Sequence, residues 1–185
     1  MTKARRRLET AAAALALAAA LTGCGSSGSG PLGPVEANGY ACFTQLDHGV
    51  LTNGWPFVVN SSSTPAVIDK VGIANGHGLR LLGAIAVPTS EDFYGAQPGY
   101  PNNKLALPGF HWAQRRNAVG DAIPYSTGSH KWTDLLFVLR LTASHGSSTG
   151  VDIWYHVGSQ HYHLRTVFGL FVVQCPSPGP SPSAG

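Results

Sequence analysis

Residues 151–165, VDIWYHVGSQHYHLR, constrain the fold more tightly than any other stretch of this chain. Two runs rich in β-branched and aromatic side chains flank Gly158-Ser159, which suits a two-residue hairpin turn. With that turn, His156 faces His161, Trp154 faces His163 and Asp152 faces Arg165. Strand alternation then sorts the side chains into two faces. Those six share one face, while Ile153, Tyr155, Val157, Tyr162 and Leu164 share the other and belong against a core. A slip of one residue would exchange the faces. The Asp152–Arg165 charge pair fits the unslipped register.

The same reading applied along the chain predicts an all-β domain. Apolar, β-prone runs at 41–46, 56–60, 66–74, 79–87, 134–142, 151–157 and 160–174 alternate with Gly, Pro, Asn and Ser clusters. The last run should be broken by a bulge at Gly169. Leu135 to Leu139, LLFVL, lacks alternation and suits a strand buried on both sides, although a short buried helix has the same pattern. About seven strands point to an immunoglobulin-like antiparallel β-sandwich over residues 39–175. The Cys…Trp…Cys spacing of antibody domains is absent.

Residues 88–131 interrupt this pattern with a long insertion carrying five prolines. Its aromatics include Phe110, Trp112 and Tyr125. They offer a binding surface for a glycan or a partner protein, or else a lid that plugs the sandwich edge.

The N-terminus reads as an export signal. Lys3, Arg5, Arg6 and Arg7 precede an apolar run from Ala11 to Leu21, too short to span a bilayer. Leu21-Thr22-Gly23-Cys24 follows and resembles the lipobox of bacterial lipoproteins. The resemblance implies cleavage after residue 23, lipid on Cys24 and residence on the extracytoplasmic face of the cell membrane. An ordinary secretory signal cleaved elsewhere and an N-terminal soluble helix followed by a chance cysteine are the alternatives, and the Sec and twin-arginine routes both stay open. Residues 24–38 then form a Gly/Ser/Pro tether, and 176–185 a disordered Pro/Ser tail.

An exported chain with three cysteines needs one of them explained. Lipid on Cys24 leaves Cys42 and Cys175 to form a disulfide between the first and last strands of the domain, with two buried thiols as the alternative. Residues 1–23 also hold four of the twelve Lys and Arg and one of the nine acids. The remainder is electrically balanced, which argues against a nucleic-acid partner.

The runs Phe57–Asn60 and Ala66–Asp69, then Gly120–Pro124, Tyr155–Gly158 and Tyr162, are similar to small secreted or lipid-anchored β-sandwich proteins of actinobacteria. That similarity implies compartment and fold and assigns no site residue. Chemistry is sparse. No H-E-x-x-H or P-loop occurs. Adjacent acids at Glu91-Asp92 would point to opposite faces of a strand, and Asn60-Ser61-Ser62 reads as a turn.

His156, His161 and His163 on one hairpin face form a candidate site for zinc or copper(II). A wet sheet face with Trp154 stacked on His163 is the plainer account. The expected function is a non-enzymatic cell-envelope lipoprotein presenting a binding module to a partner protein or an envelope glycan. The alternative is a metal-binding module, and an envelope hydrolase ranks last.

Overall fold

The computed structural model describes residues 30–34, 40–54, 57–89, 95–101, 109–126 and 132–173. The expected signal segment, Cys24, Cys175 and the 176–185 tail lie outside the described residues. Twelve strands lie within them: β1 Leu32–Pro34, β2 Tyr40–Phe43, β3 Val50–Gly54, β4 Phe57–Asn60, β5 Ala66–Ala74 and β6 Leu79–Thr89. They continue as β7 Gly95–Pro98, β8 Arg116–Asn117, β9 Ala122–Ile123, β10 Trp132–Leu141, β11 Gly146–Val157 and β12 Gln160–Val172.

Two sheets divide the strands. In the first, β10 carries β6 along one side and β4 and β3 in series along the other, with β1, β7 and β8 at the margins. The second runs β2-β12-β11-β5-β9. Val58, Ala84, Ala86, Leu135 and Phe137 of the first meet Ala66, Ile68, Val151, Ile153, Tyr155 and Leu164 of the second in one buried cluster. Burial of each large side chain there contributes about 1.5–3 kcal/mol. Leu51, Leu139, Leu170 and Val172 extend the core toward the far end.

Four features depart from the expected sandwich. Strands among the described residues number twelve rather than about seven. One pairing is parallel, β2 beside β12, with Cys42 level with Phe171. The tether expected over 24–38 contains β1, whose Leu32 is fully buried. Its N–H donates to Tyr155 Oη at 3.0 Å, a partner too remote in sequence to be foreseen. The insertion contributes three unforeseen strands, β7, β8 and β9, beside a 3₁₀ turn at Trp112–Gln114.

β3 escaped notice because only Val50 and Leu51 are apolar. Its Thr52 is nonetheless buried, with Oγ1 donating to the Gly99 carbonyl at 2.8 Å. A polar side chain is tolerated there because its hydrogen bond is made inside the protein.

The unalternating run in β10 has a clear cause. Leu135, Phe137 and Leu139 face the second sheet, while Leu136 packs with Val87 beneath Phe110 of the insertion. Both faces of this strand are therefore covered around Leu135–Phe137.

Three bulges reshape the ladders. In β12 the extra residue falls at Phe168-Gly169, opposite Thr149, as the glycine suggested. Gly150 beside it has φ +155°, and a Cβ there would strike the Thr166 carbonyl. Leu82 is the extra residue of β6 against β10. Asp69 is the extra residue of β5 against β11, because Ile68 and Lys70 pair with the consecutive residues Tyr155 and Trp154.

Candidate functional sites: a histidine face and an aromatic groove

The β11–β12 hairpin has the expected register throughout its turn-proximal half, from Val157↔Gln160 to Asp152↔Arg165. Ile153, Tyr155 and Leu164 are buried on the inner face, where Tyr155 and Tyr162 stack at 5.3 Å between centroids. The outer face separates into two groups of polar side chains.

The first group centres on Asp152, which is buried although it faces outward. Arg165 grips the carboxylate with two hydrogen bonds, Nε to Oδ1 at 2.7 Å and Nη2 to Oδ2 at 2.9 Å. His163 Nε2 adds a third contact at 2.7 Å. Burial by itself pushes the Asp152 carboxyl up, but the hydrogen bonds from Arg165 and then His163 outweigh it and hold it below its ordinary value. Trp154 stacks on the His163 ring at 4.9 Å and receives the Lys70 ammonium at 4.7 Å from its centroid.

The second group lies closer to the turn. His156 and His161 face each other across the strands with ring centroids 5.4 Å apart. Between them sits Asp69, with Oδ1 at 2.7 Å from His156 Nδ1 and Oδ2 at 3.4 Å from His161 Nδ1. One ligand atom from each of the three lies within 4.8 Å of the others.

The trio expected from sequence is thus rearranged. His156 and His161 converge, His163 is turned to Asp152 and Trp154, and Asp69 takes the third place. Its signal was present in AVIDKVGIA. Inward positions run Ala66, Ile68 and then Val71, Ile73, so the parity changes across Asp69-Lys70, the mark of a bulge.

The aromatics named in the insertion do not form one surface. Phe110 is buried over Val87 and Leu136 and acts as the plug. Tyr125 is exposed just beyond β9, at the edge of the second sheet. Trp112 stacks on Phe110 at 6.2 Å and forms one wall of an open groove on the outer face of the first sheet.

That groove has a volume of about 620 Å³. Its floor includes Gly83, Ile85 and Val138, and a Cβ on Gly83 would meet nothing within 4 Å. Arg115 lies over the Trp112 ring at 4.8 Å, and its Nη1 donates to the Trp112 carbonyl at 3.3 Å. Across the floor stands Tyr100, whose hydroxyl accepts from Arg140 Nη2 at 3.4 Å. Arg116 Nε is held by Asp121 at 3.0 Å.

Tyr100 belongs to the aromatics of the insertion, whereas Arg140 and Gly83 carry no signal in the sequence, because distant segments meet there. The Asn60 sequon is structural: its buried amide donates to the Thr64 and Ile123 carbonyls, each at 3.0 Å. Comparison with protein-family models, curated proteins and solved structures finds no match.

Proposed function

We propose that this chain is a non-enzymatic protein anchored by lipid on Cys24 to the extracytoplasmic face of the cell membrane. Its β domain binds an envelope glycan in the groove between Trp112 and Tyr100. The observation carrying the ligand assignment is the groove itself: two aromatic walls over an apolar floor, with the Arg115 cation at the rim and Arg140 bonded to the Tyr100 hydroxyl. Small-ligand sites are concave, mostly apolar and about 300–1,000 Å³, with a few placed polar groups. The apolar faces of sugar rings stack on aromatic rings, while guanidinium groups pair with acidic substituents.

The anchor rests on Leu21-Thr22-Gly23-Cys24 and the cationic, apolar segment before it. Each buried CH₂ of a lipid contributes about 0.8 kcal/mol, so two or three acyl chains hold a protein of this size. A Cys42–Cys175 disulfide belongs to the same reading. It is supported by the parallel β2–β12 pairing and by Val173, whose N–H donates to the Phe43 carbonyl at 2.6 Å. Val173 has φ +72°, a costly conformation for a β-branched residue, and a crosslink two residues later would help to hold it.

Two experiments test the reading. Metabolic labelling with a fatty-acid analogue is expected to mark the wild type and to vanish in Cys24→Ala; label surviving the substitution places the lipid elsewhere. Sedimentation with purified peptidoglycan is expected to retain the wild type, with at least tenfold loss in both Trp112→Ala and Tyr100→Ala. Tyr100 is exposed, so its truncation leaves the core intact. Absence of wild-type retention removes the glycan and leaves a partner protein as the ligand class.

A further inference from the structure

We infer that Asp69, His156 and His161 form a binding site for a divalent transition-metal ion, with zinc and copper(II) as the ions their chemistry suits. The site is independent of the anchor and the groove, since it lies on the second sheet. Its construction begins with the β5 bulge. As the unpaired extra residue, Asp69 escapes the alternation that would otherwise set its direction, and its carboxylate reaches the outer face between the two imidazoles. Bulges recur beside functional sites because they re-aim a side chain without disturbing the ladder on either side.

The surroundings leave this carboxylate to the histidines. Lys70, its chain neighbour, is drawn over Trp154. Arg165 and His163, the other nearby cation and imidazole on the face, are both engaged by Asp152. Among the described residues, the ion-pair contacts of Asp69 are those with His156 and His161.

The donor set then decides the class of ion. Two imidazole nitrogens and one carboxylate oxygen are typical of zinc with an open fourth position, and they suit copper(II) equally. Around a tetrahedral ion with bonds of about 2.0–2.2 Å, the donor atoms stand roughly 3.5 Å apart. The ion would replace the 2.7 Å hydrogen bond between Asp69 and His156, and the remaining spread of up to 4.8 Å is taken up by rotation of His161, whose side chain is 75% exposed. The open position faces solvent and is available to water or to a ligand carried with the ion.

Calorimetric titration of the purified full chain with zinc chloride and copper(II) chloride tests the assignment. The wild type is expected to take up one ion per chain. Asp69→Asn and His161→Ala are each expected to weaken uptake at least tenfold, whereas His163→Ala should lie within twofold of the wild type. All three positions are at the surface, and matching unfolding midpoints verify that the variants are folded.

Electron paramagnetic resonance of the copper(II) form is expected to resolve coupling to two imidazole nitrogens. No stoichiometric uptake of either ion, or equal affinity in Asp69→Asn and the wild type, overturns the proposal. Three coupled nitrogens, together with a loss in His163→Ala as large as in His161→Ala, also overturns it, by restoring an all-histidine site.

Discussion

Tyr155→Ala is expected to lower the unfolding free energy by about 3–5 kcal/mol, the range for truncating a large aromatic in a packed core. Tyr155 is fully buried in the cluster where the two sheets meet. It also performs a second task, because its hydroxyl accepts the N–H of Leu32 and so holds β1 against the domain. Tyr155→Phe separates the two contributions. The ring stays, but a buried amide loses its acceptor, at about 1–3 kcal/mol.

Urea unfolding of both variants, with hydrogen exchange at Leu32, measures the difference. Exchange at Leu32 should accelerate in Tyr155→Phe beyond what the global stability change explains. Unchanged exchange there would show that β1 is held by its pairing with β4 alone. Burial raises the Tyr155 hydroxyl above its ordinary value, ahead of the opposing Leu32 hydrogen bond. Stability from this residue is therefore fully present at neutral pH and is lost only as alkaline solutions ionise the phenol.

Asp152→Ala is expected to cost about 2 kcal/mol at neutral pH, since hydrogen bonds to a charged group contribute about 1.5–3 kcal/mol and this one is partly screened. The sign of its pH dependence follows from the lowered carboxyl. A carboxyl that ionises more readily in the folded state than in the unfolded one binds fewer protons when folded. Stability therefore falls as the pH drops from the ordinary carboxylate range through the lower folded value, and it is complete above that range. Unfolding midpoints measured from pH 7 down to pH 3 should fall for the wild type and flatten in Asp152→Asn. Parallel curves for the two proteins would assign the acid sensitivity to other carboxylates.

Legibility from sequence followed the range of the interactions. The β11–β12 hairpin could be assigned to individual facing pairs because a two-residue turn fixes register locally and the charge pair agrees with it. The buried run in β10 was likewise readable, although its cause, an insertion lying over Leu136 and Val87, was not. β1 and β3 were missed because their short runs are made strands by partners elsewhere. Leu32 is held by a hydroxyl on β11, and Val50–Asn53 is completed by β10. The three histidines share the outer face as expected, but their grouping on it differs from the expected trio for the same reason. Pairing within the hairpin brings His156 and His161 together, whereas Asp69 arrives from another strand through a bulge, and His163 is claimed by Asp152.

The position of β10 also dictates an order of events during self-assembly. Its flanks are completed by β3, β4 and β6, all synthesised long before it, so the first sheet cannot close until the polymer has looped back over much of its length. The β11–β12 ribbon, by contrast, needs only its own turn and forms in about 1–10 μs. Distant pairing of the β10 kind puts overall folding on the slow side, on the order of milliseconds to seconds. During that interval the greasy segment Leu135–Leu139 waits uncovered. Protection from self-association by a holding factor would matter most at that moment, before β10 has paired with β6.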